Sequence, residues 1–200
     1  MGGTASVIDK IKALTVNDLR SGLDDDIIDK LKRDAGNGDS CAANLLAYCT
    51  ADGEAASWLL KAAKLGNDDA MYEYGYRLMH GIKIKKDREA GLKWLKKGAE
   101  TRCVDAMFEY AKYTGSSEEK LKWLKTAAGS GHVGAMVRYG ANCPDRALGA
   151  KWLKKAAELG NPEAMNLYGI RCGGGDGVAQ NKNEAAGWYK KAAGLGEKQQ

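Results

Sequence analysis

The sequence holds only two prolines and one phenylalanine, and it has no apolar run approaching the about 18 residues that a membrane-spanning helix needs. No helix is therefore expected to cross a membrane. The opening residues, MGGTASVIDK, lack the apolar stretch of a secretory signal, so export by a signal peptide is not expected. The five cysteines, Cys41, Cys49, Cys103, Cys143 and Cys172, are odd in number and scattered. They point to a reducing, cytoplasmic setting rather than a disulfide framework. The two histidines, His80 and His132, lie far apart, with no Cys or His at zinc-ligand spacing, so neither a metal site nor a cofactor is expected. Val and Ile are sparse while Gly counts 26, which favours helices with frequent breaks over strands.

Charge of one sign is scarce at one end. Residues 1–60 carry six Lys and Arg against ten Asp and Glu, a net of −4, while residues 61–200 carry 25 against 16, a net of +9. Such asymmetry either steers partners or simply solvates a helical surface.

What is present repeats. Tryptophan falls at Trp58, Trp94, Trp123, Trp152 and Trp188, with spacings of 36, 29, 29 and 36. Twelve residues after each of the first four stands an alanine: Ala70, Ala106, Ala135 and Ala164. Each is followed by Met, and a tyrosine lies four residues beyond the alanine: Tyr74, Tyr110, Tyr139 and Tyr168. Self-similarity at this period marks a solenoid.

Each copy reads as two helices. The first contains A-x-x-x-Y, whose i, i+4 step puts Ala and Tyr on one face. Gly75, Gly140 and Gly169 follow and allow a neighbour to come close. The second helix contains the Trp and a run such as Lys154-Lys155-Ala156-Ala157, and it stops at Gly66, Gly131, Gly160 or Gly196, where a C-terminal cap wants a positive φ. Asn67 and Asn161 come next as turn formers or caps, His132 occupies the equivalent turn position as a turn or surface residue, and Pro162 suits a first helical turn. The difference between 29 and 36 falls between Ala and the next Trp, hence between the two helices of the central copies. Seven residues are about two turns, so helix phase survives. The long connections should protrude and flank a recess at the short ones; the alternative is merely tighter packing.

This pattern resembles the Sel-one-like repeat family, relatives of the tetratricopeptide arrays. The likeness covers roughly residues 37–200, and "GDGVAQNKNEAAGWYKKAAGLG" (Gly175 to Gly196) follows the family's G-x-G-V…A…W-Y-x-K-A-A-x-x-G almost throughout. The resemblance implies an all-α, right-handed superhelical solenoid of about five helix-turn-helix repeats, and an adaptor or scaffold role in protein assemblies. It departs from the family in its two short central connections and in Arg102, which stands where Gly is usual. The regular Cys pairs of some secreted members are missing.

Residues 1–36 read as a helical capping segment before the array of residues 37–200. Ile8, Ile11 and Leu14 are spaced three apart, and Ile27, Ile28 and Leu31 form a second pattern, with Lys30 in the Trp position. At the other end GEKQQ follows the last second helix with no further first helix over it. Either the sequence is cut there, or the bare face is tolerated, or it pairs with another chain as a dimer.

In arrays of this kind the variable positions of the first helices line the concave side. Here these are Tyr72, Glu73, Arg77, Phe108, Glu109, Val137, Arg138, Asn166 and Arg171, and Tyr, Phe and Arg are common interface anchors. Tyr72 and Phe108 would serve equally well as packing between repeats. The Trp residues are expected in packing rather than as ligand contacts. The GGGDG run from Gly173 lacks the preceding strand and following Lys-Ser/Thr of a phosphate loop. Glu118 and Glu119 suit a helix start. Nothing in the spacing pairs a nucleophile with a base, so catalysis is not expected. A lysine ladder on the second helices (among others Lys93, Lys97, Lys122, Lys154 and Lys191) forms a basic outer face. No specific nucleic-acid binding is expected from it. Met1-Gly2-x-x-x-Ser6 fits an N-myristoylation pattern, and acylation at Gly2 plus the lysine face would suit a membrane surface. The leading expectation is a protein- or peptide-binding scaffold; the alternative is a peripheral-membrane or anionic-surface adaptor.

Overall fold

A computed structural model describes residues 24–50 and 52–196. Among these residues there are eleven α-helices and no strand: α1 (Asp25–Gly36), α2 (Ser40–Cys49), α3 (Asp52–Lys64), α4 (Asp68–His80), α5 (Arg88–Glu100), α6 (Val104–Tyr113), α7 (Ser117–Gly129), α8 (Val133–Asn142), α9 (Arg146–Glu158), α10 (Pro162–Gly174) and α11 (Lys182–Gly196). After α1 they form five first-helix/second-helix pairs. The chain divides into two compact units, one ending at Ala106 and one beginning at Met107. The expected pattern at Ile8, Ile11 and Leu14, and Gly2, lie outside the described residues. No described helix is long and apolar enough to cross a membrane.

In the first unit, small and branched apolar residues from successive helices make one core: Leu31 and Ala35 of α1, Ala42 and Leu46 of α2, Leu59 and Ala62 of α3, Ala70 and Met71 of α4. Alanine at these contacts lets helix backbones approach, and burial of the larger side chains supplies the driving force. Gly75 of α4 and Gly91 of α5 bring two backbones together; a Cβ on Gly91 would lie 2.8 Å from the Gly75 carbonyl. The second unit repeats this with Gly140 of α8 and Gly149 of α9, where a Cβ on Gly149 would lie 2.6 Å from the Gly140 carbonyl.

The joints between pairs share one construction. The second helix ends on a left-handed residue: Gly66 at φ 96°, Gly131 at 98°, Gly160 at 88°. The residue after it then serves two helices. The Asn67 amide donates to the Ala62 carbonyl, closing α3, while its side-chain Oδ1 accepts from the Ala70 amide, starting α4. Asn161 does the same between α9 and α10, and Asp39 between α1 and α2. At the joint after α7 His132 takes this place, with Nδ1 accepting from the Ala135 amide at 3.0 Å. After α5 the left-handed residue is Arg102, at φ 72°, and the Cys103 amide returns to the Gly98 carbonyl.

The seven-residue difference divides between helix and connection. α4 and α10 have 13 residues each, whereas α6 and α8 have 10. The remaining difference lies in the shorter links from α6 to α7 and from α8 to α9. Helix phase is kept, as expected: the repeat Tyr meets the Trp of its own pair edge to face in every case. The centroids are 5.9 Å apart for Tyr74–Trp94, 6.2 Å for Tyr110–Trp123, 6.2 Å for Tyr139–Trp152 and 5.7 Å for Tyr168–Trp188.

Candidate functional site

The recurring residues are spent on packing. Ala70, Ala106, Ala135 and Ala164 are fully buried, and the tyrosines behind them are wedged against tryptophan. Burial and a bond to Cys143 push the Tyr139 hydroxyl up to about 12, and Tyr168 is raised the same way, first by burial and then by its bond to Cys172. The Tyr168 hydroxyl also faces Glu184, 3.4 Å away, and Tyr110 donates to Glu119 at 3.1 Å. The tryptophans are half-buried, and a lysine three residues on covers four of them: Lys61 over Trp58, Lys97 over Trp94, Lys155 over Trp152 and Lys191 over Trp188, at 4.4 to 5.3 Å. Part of the lysine ladder is thus a lid on the packing. All five cysteines are free thiols. Among the described residues no three His, Cys, Asp or Glu side chains converge as a metal group would require.

The variable first-helix residues divide into three groups. In the first unit Tyr72, Glu73 and Arg77 are partly exposed on α4. Arg77 Nε donates to Glu73 at 2.7 Å, and Tyr72 stands 5.9 Å from Tyr76, whose ring lies tilted 4.4 Å from that of His80. This makes a ladder of rings along one face of α4.

In the second unit Arg138 and Asn166 are exposed. Phe108 is half-buried and stacks on His132, with centroids 4.2 Å apart, so it also holds the α8 cap in place.

The third group is not open surface. Val137 is 2% exposed and belongs to the core, because α8 is covered around most of its girth. Glu109 is buried as well, its carboxylate gripping Lys112 Nζ at 2.9 and 3.0 Å. Arg171 is buried and donates through Nη1 to the exposed Asp176 carboxylate at 2.6 Å, and Asp176 also lies 3.8 Å from Arg146. The GGGDG run therefore supplies an ion pair that clasps the α10–α11 connection. Gly177 within it is required because a Cβ there would collide with the Arg146 carbonyl.

Beside Arg138 the structure assembles residues that the repeat pattern does not single out. Ala111, Lys112 and Tyr113 at the end of α6, Lys120 and Leu124 of α7, and Arg138 of α8 line a recess of about 220 Å³. It lies beside the end of α6, which is three residues shorter than α4.

The family model described as Sel1 repeat matches residues 42–67, 68–100, 133–161 and 162–197, more than half of the chain. The segment skipped between the second and third matches, α6 and α7, follows Arg102 and still carries the Tyr110–Trp123 contact. No curated protein matches the chain. Among solved structures it is similar to c5321, a protective antigen present in uropathogenic Escherichia coli strains that displays an SLR fold. The TM-score is 0.78 at 27% identity, covering 84% of this chain and 41% of that one. It is also similar to a Sel1 repeat protein from Oxalobacter formigenes, with a TM-score of 0.70 at 26% identity, covering 84% of this chain and 55% of that one. The chain thus aligns with about half of each of these proteins.

Proposed function

We propose that this chain, which belongs to the Sel1 repeat family, is a non-catalytic scaffold that holds a protein or peptide partner on the exposed faces of its first helices. The observation that carries the reading is the division of labour just described. The Ala, Met, Tyr and Trp shared by the copies are buried or half-buried in packing, while several of the residues that differ (Tyr72, Glu73 and Arg77 in the first unit, Phe108, Arg138 and Asn166 in the second) keep exposed surface on regular, well-braced helices. A surface of preformed helices loses little order on binding, and Tyr and Arg are strong anchors. Each unit is proposed to offer its own patch. The segment before the array is proposed to act as a cap, since Leu31 and Ala35 of α1 cover α2.

The test is parallel capture of partners with wild type, Tyr72→Ala/Arg77→Ala, and Phe108→Ala/Arg138→Ala. A partner depleted about tenfold with one pair of substitutions, in a chain that melts normally, supports the reading. Unchanged capture with both pairs counts against it.

A further inference from the structure

We infer that the recess formed by α6, α7 and α8 receives an acidic peptide side chain flanked by an apolar one, with the carboxylate between Lys120 and Arg138 and the apolar group against the half-buried ring of Tyr113. The inference rests on the scaffold reading and names the chemistry of its partner.

Three cations line the recess, but they are not equivalent. Lys112 is already neutralised: its Nζ lies 2.9 and 3.0 Å from the buried Glu109 carboxylate and over the rings of Phe108 and Tyr113, at 5.8 and 5.6 Å. It is a fixed wall. Lys120 and Arg138 form no ion pair among the described residues, and both are exposed. The site therefore carries two uncompensated positive charges beside the half-buried ring of Tyr113, over a floor closed by the buried Ala111 and Leu124. Arg presents a fork of donors that matches a carboxylate, and a second cation nearby adds to it.

Size selects the ligand class. About 220 Å³ is below the roughly 300–1,000 Å³ of small-molecule pockets and fits a side chain or two. Nucleic acid draws its affinity from many phosphate contacts along a basic track, and two free cations at one recess do not form one. The combination of a charge pair and an aromatic ring suits a peptide in which an acidic residue stands next to a bulky apolar one.

The test uses the full chain, 15N-labelled, titrated with acetyl-Phe-Glu-amide. Saturable shifts at Ala111–Tyr113, Lys120–Leu124 and Arg138 are expected. They should weaken at least tenfold with acetyl-Phe-Gln-amide and in Lys120→Gln/Arg138→Gln, whose melting should match wild type because both residues are exposed. Equal binding of the Gln peptide overturns the inference. So do the same shifts from inorganic phosphate alone, which would make the recess a general anion site, or equivalent shifts from phosphatidylserine vesicles, which would assign it to lipid. Shifts confined to Tyr72, Tyr76 and Arg77 overturn the recess while leaving the scaffold reading intact.

Discussion

Tyr110 and Trp123 meet edge to face at 6.2 Å across 13 residues of chain, in the same T-shaped geometry that Tyr168 and Trp188 reach across 20. The contact is held constant and the chain between its partners is not. Tyrosine at this position is therefore a keystone of each helix pair. Tyr139→Ala should remove about 3 kcal/mol of stability by leaving Trp152 against a cavity. Urea unfolding followed by Trp fluorescence will read this as a lower midpoint.

The joints make a second prediction. His132→Ala removes the acceptor for the Ala135 amide and should cost about 1 kcal/mol, whereas His132→Asn restores the arrangement seen at Asn67 and Asn161 and should stay near wild type. Thermal melts of the two variants side by side distinguish loss of the cap from loss of the Phe108 stack, which both variants lack.

Arg102 makes a third. It holds a left-handed backbone where the neighbouring joints use Gly. Arg102→Gly should relieve this strain and stabilise by about 1 kcal/mol, reduced by the greater freedom of Gly in the unfolded chain. A raised melting temperature is the expected result.

The fourth concerns alkaline pH. Burial, then a bond to Cys143, raises Tyr139 from the ordinary 10.0 to about 12 in the fold. The folded state thus favours the neutral phenol. Its contribution is full below pH 10 and is lost as pH rises from there through about 12. Tyrosinate absorbance should show Tyr139 and Tyr168 ionising late, above the ordinary 10.0, and stability should fall across that window.

Much of this was legible in the sequence because solenoid packing is periodic. The Trp-to-Ala distance of 12 exposed the joint, and the Gly and Asn residues there announced the turn and cap. The candidate site was legible only in part. Helix periodicity places Val137 and Arg138 as adjacent variable positions, but a first helix packed on several sides buries a wide arc, and Val137 falls inside it. Glu109 and Arg171 look exposed by residue type; both are buried, each bonded to a partner of opposite charge, Lys112 or Asp176. Nothing in the repeat marks Lys120 and Tyr113, and only the folded chain brings them together beside Arg138.

The scaffold reading is tested most directly by hydroxyl-radical footprinting of the chain alone and with a captured partner. Binding on the first helices predicts that oxidation of Tyr72 or Phe108 falls severalfold, while Leu159 and Tyr189, exposed at the end of α9 and on α11, react as before. Protection of Leu159 and Tyr189 with Tyr72 and Phe108 unchanged would contradict it.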